Sequence, residues 1–241
     1  SSTTGGDTPS RHYVWRLENY RRTLRAAFTH FYGDPSEWAF YALLPCYLER
    51  EGSSLVWMAD DLIRSGGGGF FLDDHKGLLE RMAADPKRKI LLGVSYALLD
   101  LAEGFAPKLT DTVVMETGGM KGRRAELPKE EFHAILCRAF GVEKIHSEYG
   151  MAELTSQAYS DGDGIFRTPA WMRVRVRDFN DPFEQLGCGR RGGVNIIDLA
   201  NLHSCAFIET QDAGMLHEDG SFSLLGRMDR TQTRGCNLLV D

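Results

Sequence analysis

The sequence predicts an α/β protein with a mainly parallel sheet covered by helices, followed by a smaller β-rich subdomain. Up to about residue 160, apolar runs of strand length alternate with stretches whose apolar residues recur at helical spacing, an order typical of βαβ units. Beyond that point, short β-rich pieces are separated by Gly, Asn, Asp and Pro turns. We therefore predict an α/β core of residues 1–160 and a β-rich unit of residues 161–241.

Periodicity places the individual elements. Apolar residues at helical spacing predict a first helix over residues 14–31, which ends near Gly33 and Pro35. The other predicted elements of the core are strands at 39–44, 89–94 and 112–116 and helices at 55–63, 96–103 and 129–140. In the β-rich unit, strands are predicted at 172–177, 193–198, 206–210 and 222–225. The Gly-rich run 65–69 is interpreted as a flexible loop or linker.

Composition limits the classes of function. With 42% apolar residues, a chain of 241 residues can bury a sizeable core. The net charge of −6 argues against nucleic acid as a partner, because neutralising phosphates requires a basic surface. No stretch reaches the roughly 18 apolar residues of a membrane span and no signal peptide opens the chain, so we predict a cytoplasmic protein without a membrane span. The five cysteines are widely spaced, which favours reduced thiols over disulfides or a zinc site.

The first motif is the run Ser-Ser-Thr-Thr-Gly-Gly at residues 1–6. Backbone N–H groups and hydroxyls in such a run can converge on phosphate oxygens, because glycine permits close approach of the backbone. A solvated linker is the alternative interpretation. Because a natural chain rarely begins this way, we expect further residues upstream.

The second motif, Met115–Arg124, is a predicted strand that runs into the pair Gly118 and Gly119 and then into basic residues. Open α/β sheets bind ligands at the carboxyl ends of their parallel strands. A purely structural turn explains the two glycines equally well.

The third motif is His146–Glu153, in which Tyr149 and Gly150 precede Glu153. It resembles the Tyr-Gly-x-Thr-Glu signature of adenylate-forming enzymes, with Ala152 in place of the usual Thr. In that family the tyrosine lies near adenine and the glutamate helps to hold Mg²⁺, which prefers hard oxygen ligands. A surface turn with a capping Glu is the alternative interpretation.

The fourth motif combines Thr210-Gln211-Asp212 with the segments Gly226–Arg230 and Arg234-Gly235. It looks like the ribose-binding Asp and the Gly-Arg-x-Asp hinge of the same family. A carboxylate is well suited to accept hydrogen bonds from two ribose hydroxyls. By itself, the run Gln-Asp-Ala-Gly is typical of a turn.

The motifs occur in the order found in adenylate-forming enzymes and span almost the whole chain. Several segments resemble the acyl-protein synthetase (LuxE-like) branch, a relative of phenylacetate-CoA ligase, among them Pro45–Arg50 and Arg234–Leu239. The resemblance implies the N-terminal-type nucleotide-binding core of these enzymes, without the C-terminal lid domain because the chain stops at Asp241. One departure is that residues 1–6 lack the early glycine of the usual phosphate loop, Ser-Ser-Gly-Thr-Thr-Gly.

The activity implied by the resemblance is ATP- and Mg²⁺-dependent activation of a carboxylic acid, by preference a fatty acid, followed by acyl transfer to a thiol or a partner protein. Cys236 matches the region of the receiving cysteine of acyl-protein synthetases, and nearby Arg230 and Arg234 would favour its thiolate. A merely buried cysteine is the alternative. The resemblance assigns Ser2, Thr3, Thr4 and Gly6 to phosphates, Gly118, Gly119, Tyr149 and Gly150 to the adenine region, Glu153 to Mg²⁺ and catalysis, and Asp212 and Arg227 to ribose.

Three other functions remain open at this stage. The first is an acid-CoA ligase, in which free coenzyme A is the acceptor. The second is a catalytically silent nucleotide- or acyl-binding module, which the altered phosphate loop favours. The third is a serine hydrolase built on Ser95, which follows a predicted strand and precedes a helix, although Ala97 stands where a nucleophile elbow needs glycine.

Two further groups have a structural and a functional interpretation. Trp38, Phe40, Tyr41 and Tyr47 lie beside a predicted strand, so we interpret them as core before an acyl pocket. His146, which we place just after a strand, is interpreted as a hydrogen-bonded core residue before a general base.

Overall fold

The computed structural model describes residues 12–45, 52–118 and 127–228. Its helices are α1 (Leu17–Tyr32), α2 (Ser54–Gly66), α3 (His75–Ala84), α4 (Ser95–Phe105) and α5 (Lys129–Phe140). Its strands are β1 (Trp38–Leu43), β2 (Gly68–Phe71), β3 (Arg88–Val94), β4 (Thr112–Thr117), β5 (His146–Tyr149), β6 (Ala158–Ser160), β7 (Ile165–Phe166), β8 (Met172–Arg177), β9 (Gln185–Leu186), β10 (Arg191–Asp198), β11 (Phe207–Leu216) and β12 (Phe222–Arg227).

The first sheet has the strand order β2-β1-β3-β4-β5-β6. Its first five strands are parallel, and only β6 runs antiparallel to its neighbour β5. Every residue of β1 is buried, as expected of a parallel strand that is covered on both faces. The predicted mainly parallel sheet is therefore confirmed.

The second sheet has the order β7-β12-β11-β10-β8-β9 and is antiparallel throughout. In β8, buried and exposed residues alternate from Met172 to Arg175, the pattern of a strand with one face in a core. The first sheet ends at Ser160 and the second begins at Ile165. The two-unit division at residue 160 stays a prediction.

Sequence periodicity located most of these elements. The predicted helix at 129–140 and the predicted strand at 172–177 match α5 and β8 residue for residue. Periodicity missed α3, which is only weakly amphipathic and is marked mainly by its N-cap, where Asp74 accepts from the Gly77 amide. It also placed His146 after a strand, whereas His146 is the first residue of β5.

The interpretation of residues 65–69 as a flexible linker is wrong. Gly66 ends α2, and Gly68 begins β2, which pairs with β1. A Cβ atom on Gly66 would lie 1.9 Å from the carbonyl oxygen of Trp38, and one on Gly68 would lie 1.9 Å from that of Phe40. These glycines are needed because helix and strand backbones approach β1 more closely than any side chain permits.

The two sheets share part of their apolar packing. Tyr149, at the end of β5, and Leu154 belong to the same buried cluster as Phe166 and Phe222 of the second sheet. This shared core brings the carboxyl end of β5 next to β11 and β12. Among the described residues, no helix is long and apolar enough to cross a membrane.

Candidate active site

The candidate site is centred on a contact between the sheets, in which the Tyr149 hydroxyl donates to Oδ2 of Asp212 at 2.7 Å. Asp212 lies in β11, and its register partner in β12 is Arg227. Nε of Arg227 lies 3.8 Å from the other carboxylate oxygen of Asp212, and Nη2 donates to Gln211 at 3.0 Å. The structure thus brings together three of the residues that the sequence assigned to nucleotide binding.

Tyr149 is held in a fixed orientation. Its ring is only 8% exposed and packs edge-on against Phe166 and Phe222, with centroid distances of 6.0 and 5.7 Å. Burial and the charge of Asp212 raise the pKa of the Tyr149 hydroxyl above its ordinary value, so it remains a donor. Its position beside adenine stays a prediction.

Asp212 is placed by a hydrogen-bonded frame of residues from β8, β10 and β11. The hydroxyl of Thr210 donates to the Val194 carbonyl at 2.8 Å and accepts from the Asp212 amide at 3.1 Å. Arg177, itself buried, donates to the carbonyl oxygens of Thr210 and Val194 at 2.9 and 3.0 Å. Asp212 therefore lies inside a strand and not in the turn that its local sequence suggests.

Gly118 lies at the carboxyl end of β4, beside the end of β5. Its carbonyl accepts from the Ser95 hydroxyl at 2.9 Å. The preceding residue, Thr117, donates to Glu148 across the two strands at 2.5 Å. A Cβ atom on Gly150 would lie 2.5 Å from Oε1 of Glu148, so this position has no room for a side chain while Glu148 stays in place.

Two buried carboxylates, Glu116 of β4 and Glu148 of β5, lie on adjacent strands close to the strand ends that form the candidate site. The sequence analysis gave neither of them a role. Burial would raise the pKa of Glu116, but the neighbouring His133 and Lys129 outweigh it and hold this pKa below its usual value. The distances from Oε1 of Glu116 are 3.2 Å to Nζ of Lys129 and 3.7 Å to Nε2 of His133. Burial and the nearby Glu116 raise the pKa of Glu148 to about 7. Glu148 thus carries its proton at mildly acidic pH.

We predict a measurable effect of Glu148 on the pH dependence of stability. Between pH 4.5 and about 7 the folded protein keeps a proton that the unfolded chain releases, so the free energy of unfolding falls as the pH rises. The contribution has an upper limit of about 3 kcal/mol. Glu148→Gln removes it, so urea unfolding should show the variant gaining stability relative to the parent between pH 5 and 8. A constant difference across this range would contradict the raised pKa.

Glu153 lies in the loop between β5 and β6 and is half-buried. Its backbone carbonyl accepts from Nδ2 of Asn201 at 2.8 Å. Among the residues that the structure describes, no cluster of three or more His, Cys, Asp or Glu side chains could hold a metal ion alone. Magnesium bound to ATP needs fewer protein ligands because phosphates and water complete its coordination, so one carboxylate such as Glu153 fits.

The remaining assigned residues are Ser2, Thr3, Thr4, Gly6, Gly119 and Cys236, all of which lie outside the described ranges. The proposed phosphate loop, half of the double glycine and the proposed acyl acceptor therefore remain predictions from the sequence.

The chain has the fold of several solved ATP- and AMP-binding enzymes. ATP-bound MatB from Rhodopseudomonas palustris superposes with a TM-score of 0.65 at 18% identity, over 87% of this chain and 44% of that one. Amide bond synthetase McbA from Marinactinospora thermotolerans gives 0.64 at 20% identity, over 88% and 45%. O-succinylbenzoate coenzyme A synthetase (MenE) from Bacillus subtilis, in complex with AMP, gives 0.67 at 17%, over 95% and 48%.

The chain shares the α/β fold of these three solved structures. This confirms the fold class that the motifs implied. At these identities the likeness concerns the fold alone, and the chain spans slightly less than half of the length of the three solved structures. No protein-family model and no curated protein matches the sequence.

In this fold, Ser95 is not arranged as a nucleophile. It is buried, and its hydroxyl donates to the Gly118 carbonyl and lies 3.3 Å from Glu116. His133 contacts the far oxygen of that same Glu116, whereas a hydrolase triad places histidine between serine and the acid. The geometry supports a structural Ser95.

The other ambiguous groups are structural as well. Trp38, Phe40 and Tyr41 are at most 3% exposed and belong to the main core, which confirms the core interpretation for the three that the structure describes. His146 contacts the Tyr32 hydroxyl through Nδ1 at 3.1 Å. Burial lowers the pKa of His146 to about 4, so its imidazole is neutral at pH 7.

Proposed function

We propose that this chain forms part of an enzyme that activates a carboxylic acid with ATP and passes the acyl group to a thiol. The observation that carries the proposal is the Tyr149–Asp212 hydrogen bond at 2.7 Å, which joins the two sheets at the carboxyl end of β5. Open α/β sheets bind ligands at such strand ends. The shared fold with structures that hold ATP and AMP supports a nucleotide as this ligand.

The proposed first step forms one bond and breaks another. A carboxylate oxygen of the acid attacks the α-phosphorus of ATP, the bond to the β-phosphate oxygen breaks, and pyrophosphate leaves. Positioning and charge neutralisation supply most of the acceleration in a reaction of this kind. When bound with the ATP phosphates, Mg²⁺ would neutralise part of their charge.

The described residues have defined tasks in this proposal. The Asp212 carboxylate has spare lone pairs after accepting from Tyr149, and these accept from the ribose hydroxyls. Arg227 balances the charge of Asp212. Tyr149, Gly118 and Gly150 surround the adenine, and Glu153 contributes a carboxylate oxygen to the magnesium ion. In this proposal the nucleotide lies between the predicted core of residues 1–160 and the predicted β-rich unit of residues 161–241.

The proposed second step transfers the acyl group to a thiol. The thiolate attacks the acyl carbonyl carbon, the bond to the adenylate oxygen breaks, and AMP leaves. The resemblance to the acyl-protein synthetase branch supports Cys236 as this thiol, a fatty acid as the substrate and a cytoplasmic location. Coenzyme A is a second candidate acceptor, because MenE is a coenzyme A synthetase of the same fold.

Acid-dependent exchange of labelled pyrophosphate into ATP tests the first step. We expect the full-length protein with Mg²⁺ to catalyse exchange with at least one acid of a panel of fatty, aryl and short-chain acids, and fatty acids should give the highest rate. Nucleotide binding without exchange for any acid would refute the proposal and indicate a silent binding module.

A labelled acid identifies the acceptor. We expect a covalent acyl-enzyme that hydroxylamine releases and that Cys236→Ala abolishes while pyrophosphate exchange continues. Cys188→Ala is the matched control, because Cys188 is an exposed free cysteine that lies 48 positions before Cys236 in the sequence. An undiminished acyl-enzyme in Cys236→Ala excludes this cysteine, and acyl-CoA formed without an acyl-enzyme would favour the ligase alternative.

A further inference from the structure

A buried carboxylate outside the assigned motifs clamps the loop that carries Glu153. Asp198, at the end of β10, is fully buried. It accepts five hydrogen bonds. Its donors are the Thr155 amide (3.0 Å) and hydroxyl (3.1 Å), the Ser156 amide (3.0 Å) and hydroxyl (2.7 Å), and the Ala200 amide (3.2 Å).

A second side chain from the same segment holds the loop directly at Glu153. Asn201, itself buried, donates from Nδ2 to the backbone carbonyls of Glu153 and Cys205, both at 2.8 Å. Its Oδ1 faces the His12 ring at 3.2 Å. Trp171 donates to the Ser156 hydroxyl at 2.9 Å. Three of the four loop residues 153–156, namely Glu153, Thr155 and Ser156, are thus hydrogen-bonded to a network anchored at the end of β10.

The strength of this network follows from burial. An ionised carboxylate removed from water requires hydrogen-bond donors, and bonds to a charged acceptor are about twice as strong as neutral ones. Asp198 is satisfied entirely by neutral donors of the loop and of its own turn. Because two of the loop donors are the backbone amides of Thr155 and Ser156, the clamp fixes the path of the loop backbone and not only its side chains.

Because of where they lie, these hydrogen bonds can affect metal binding as well as folding. Thr155 follows Glu153 by two residues, and Tyr149 at the other end of the loop is fixed by Asp212. Ligands of catalytic metals are oriented by such outer hydrogen bonds, and losing these bonds typically weakens metal affinity or activity 10- to 100-fold. A loop fixed at both ends can hold one carboxylate at a constant distance from the nucleotide.

We propose that Asp198 and Asn201 are positioning residues that hold Glu153 where it meets the magnesium ion of Mg·ATP. The inference rests on the proposed function, because it takes the Mg²⁺ role of Glu153 from it. Neither residue contacts substrate in this proposal. Both act through the backbone of residues 153–156.

Asp198→Asn in the full-length protein is the test, with Asp61→Asn as its control. Asp61 is also a buried carboxylate, but its donors are Arg21 and Arg25 of α1, at 2.9 and 2.6 Å, and no residue of the 153–156 loop. Two quantities are measured for each variant. These are the affinity for Mn²⁺ in the presence of ATP, followed by electron paramagnetic resonance, and the free Mg²⁺ concentration for half-maximal pyrophosphate exchange.

We expect Asp198→Asn to weaken Mn²⁺ binding and to raise the half-maximal Mg²⁺ concentration by about 10- to 100-fold. Amide hydrogen exchange at Thr155 and Ser156 should accelerate in the same variant without nucleotide. Asp61→Asn should keep both metal constants within about twofold of the parent, even at equal loss of stability. Metal constants for Asp198→Asn that match those of Asp61→Asn would overturn the inference.

The same measurements also cover a variant that does not fold and a failure of the proposed function. If Asp198→Asn does not fold, Asn201→Ala replaces it, because it removes the bond to the Glu153 carbonyl and leaves the Asp198 site complete. Unchanged Mn²⁺ affinity in Asn201→Ala would then overturn the inference. A parent protein that binds Mn·ATP but shows no acid-dependent exchange would refute the proposed function, while a loss of Mn²⁺ binding in the variants would still support the positioning role.

Discussion

Asp212→Asn is expected to reduce acid-dependent pyrophosphate exchange by about 100-fold, mainly through a higher KM for ATP. Each hydrogen bond to a charged group contributes roughly 1.5–3 kcal/mol, and the substitution weakens the bonds to two ribose hydroxyls. It also leaves Arg227, 3.8 Å away, without its counter-charge. Exchange kinetics at varied ATP concentration, with AMP binding by calorimetry, measure the effect.

Two variants show whether this loss belongs to nucleotide binding. Tyr149→Phe removes only the 2.7 Å bond to Asp212, so a loss of about tenfold is expected from one charged hydrogen bond. Glu184→Gln changes an exposed carboxylate that pairs with Arg190 in the loops on either side of β9, and it should leave the kinetics unchanged. An unchanged KM for ATP in Asp212→Asn would contradict the proposed contact between this carboxylate and the ribose.

Glu153→Gln is expected to lower kcat for exchange by on the order of 100-fold or more. The reason is that a metal ion neutralises charge in the transition state and so lowers the activation free energy by several kcal/mol. The amide keeps the shape of the side chain and its place in the loop, so the free energy of unfolding should change little. The measurement is exchange at Mg²⁺ concentrations from limiting to saturating, since weakened metal binding is partly reversed by excess Mg²⁺.

Glu148→Gln is the matched control for this substitution. It alters a buried carboxylate five residues away, which accepts a hydrogen bond from the Thr117 hydroxyl of β4. We expect it to change the pH dependence of stability and to leave the half-maximal Mg²⁺ concentration at the parent value. If both glutamine variants lose exchange equally and respond equally to Mg²⁺, the assignment of the metal to Glu153 is wrong.

The parts of the fold that periodicity predicted are those where burial follows local sequence. In α5 the buried residues Phe132, Leu136 and Phe140 recur every four positions, so one apolar stripe defines the helix. Strand β1 is an apolar run with all six residues buried. The glycines of β2 show the opposite case. Their composition is typical of a linker, but they pair with β1, and at Gly68 the closeness of Phe40 leaves no room for a side chain.

The candidate site was predictable where a run of residues resembles a motif of a known family. Tyr149, Glu153 and Asp212 were assigned from motifs, and the structure brings Tyr149 and Asp212 into contact. Asp198 was missed because nothing in the run Ile-Ile-Asp-Leu distinguishes it from a polar residue at the end of a strand. Its role depends on donors 42 and 43 positions away.

The sequence by itself determined the order of strands and helices and the chemical types of the residues at the strand ends, because periodicity and turn residues depend on neighbours along the chain. Tertiary structure decided which of those ends meet. Tyr149 and Asp212 are 63 positions apart and touch only because a shared apolar core packs β5 against the second sheet. Such a contact depends on which strands become neighbours in space, and strand order leaves no periodic signal in the sequence.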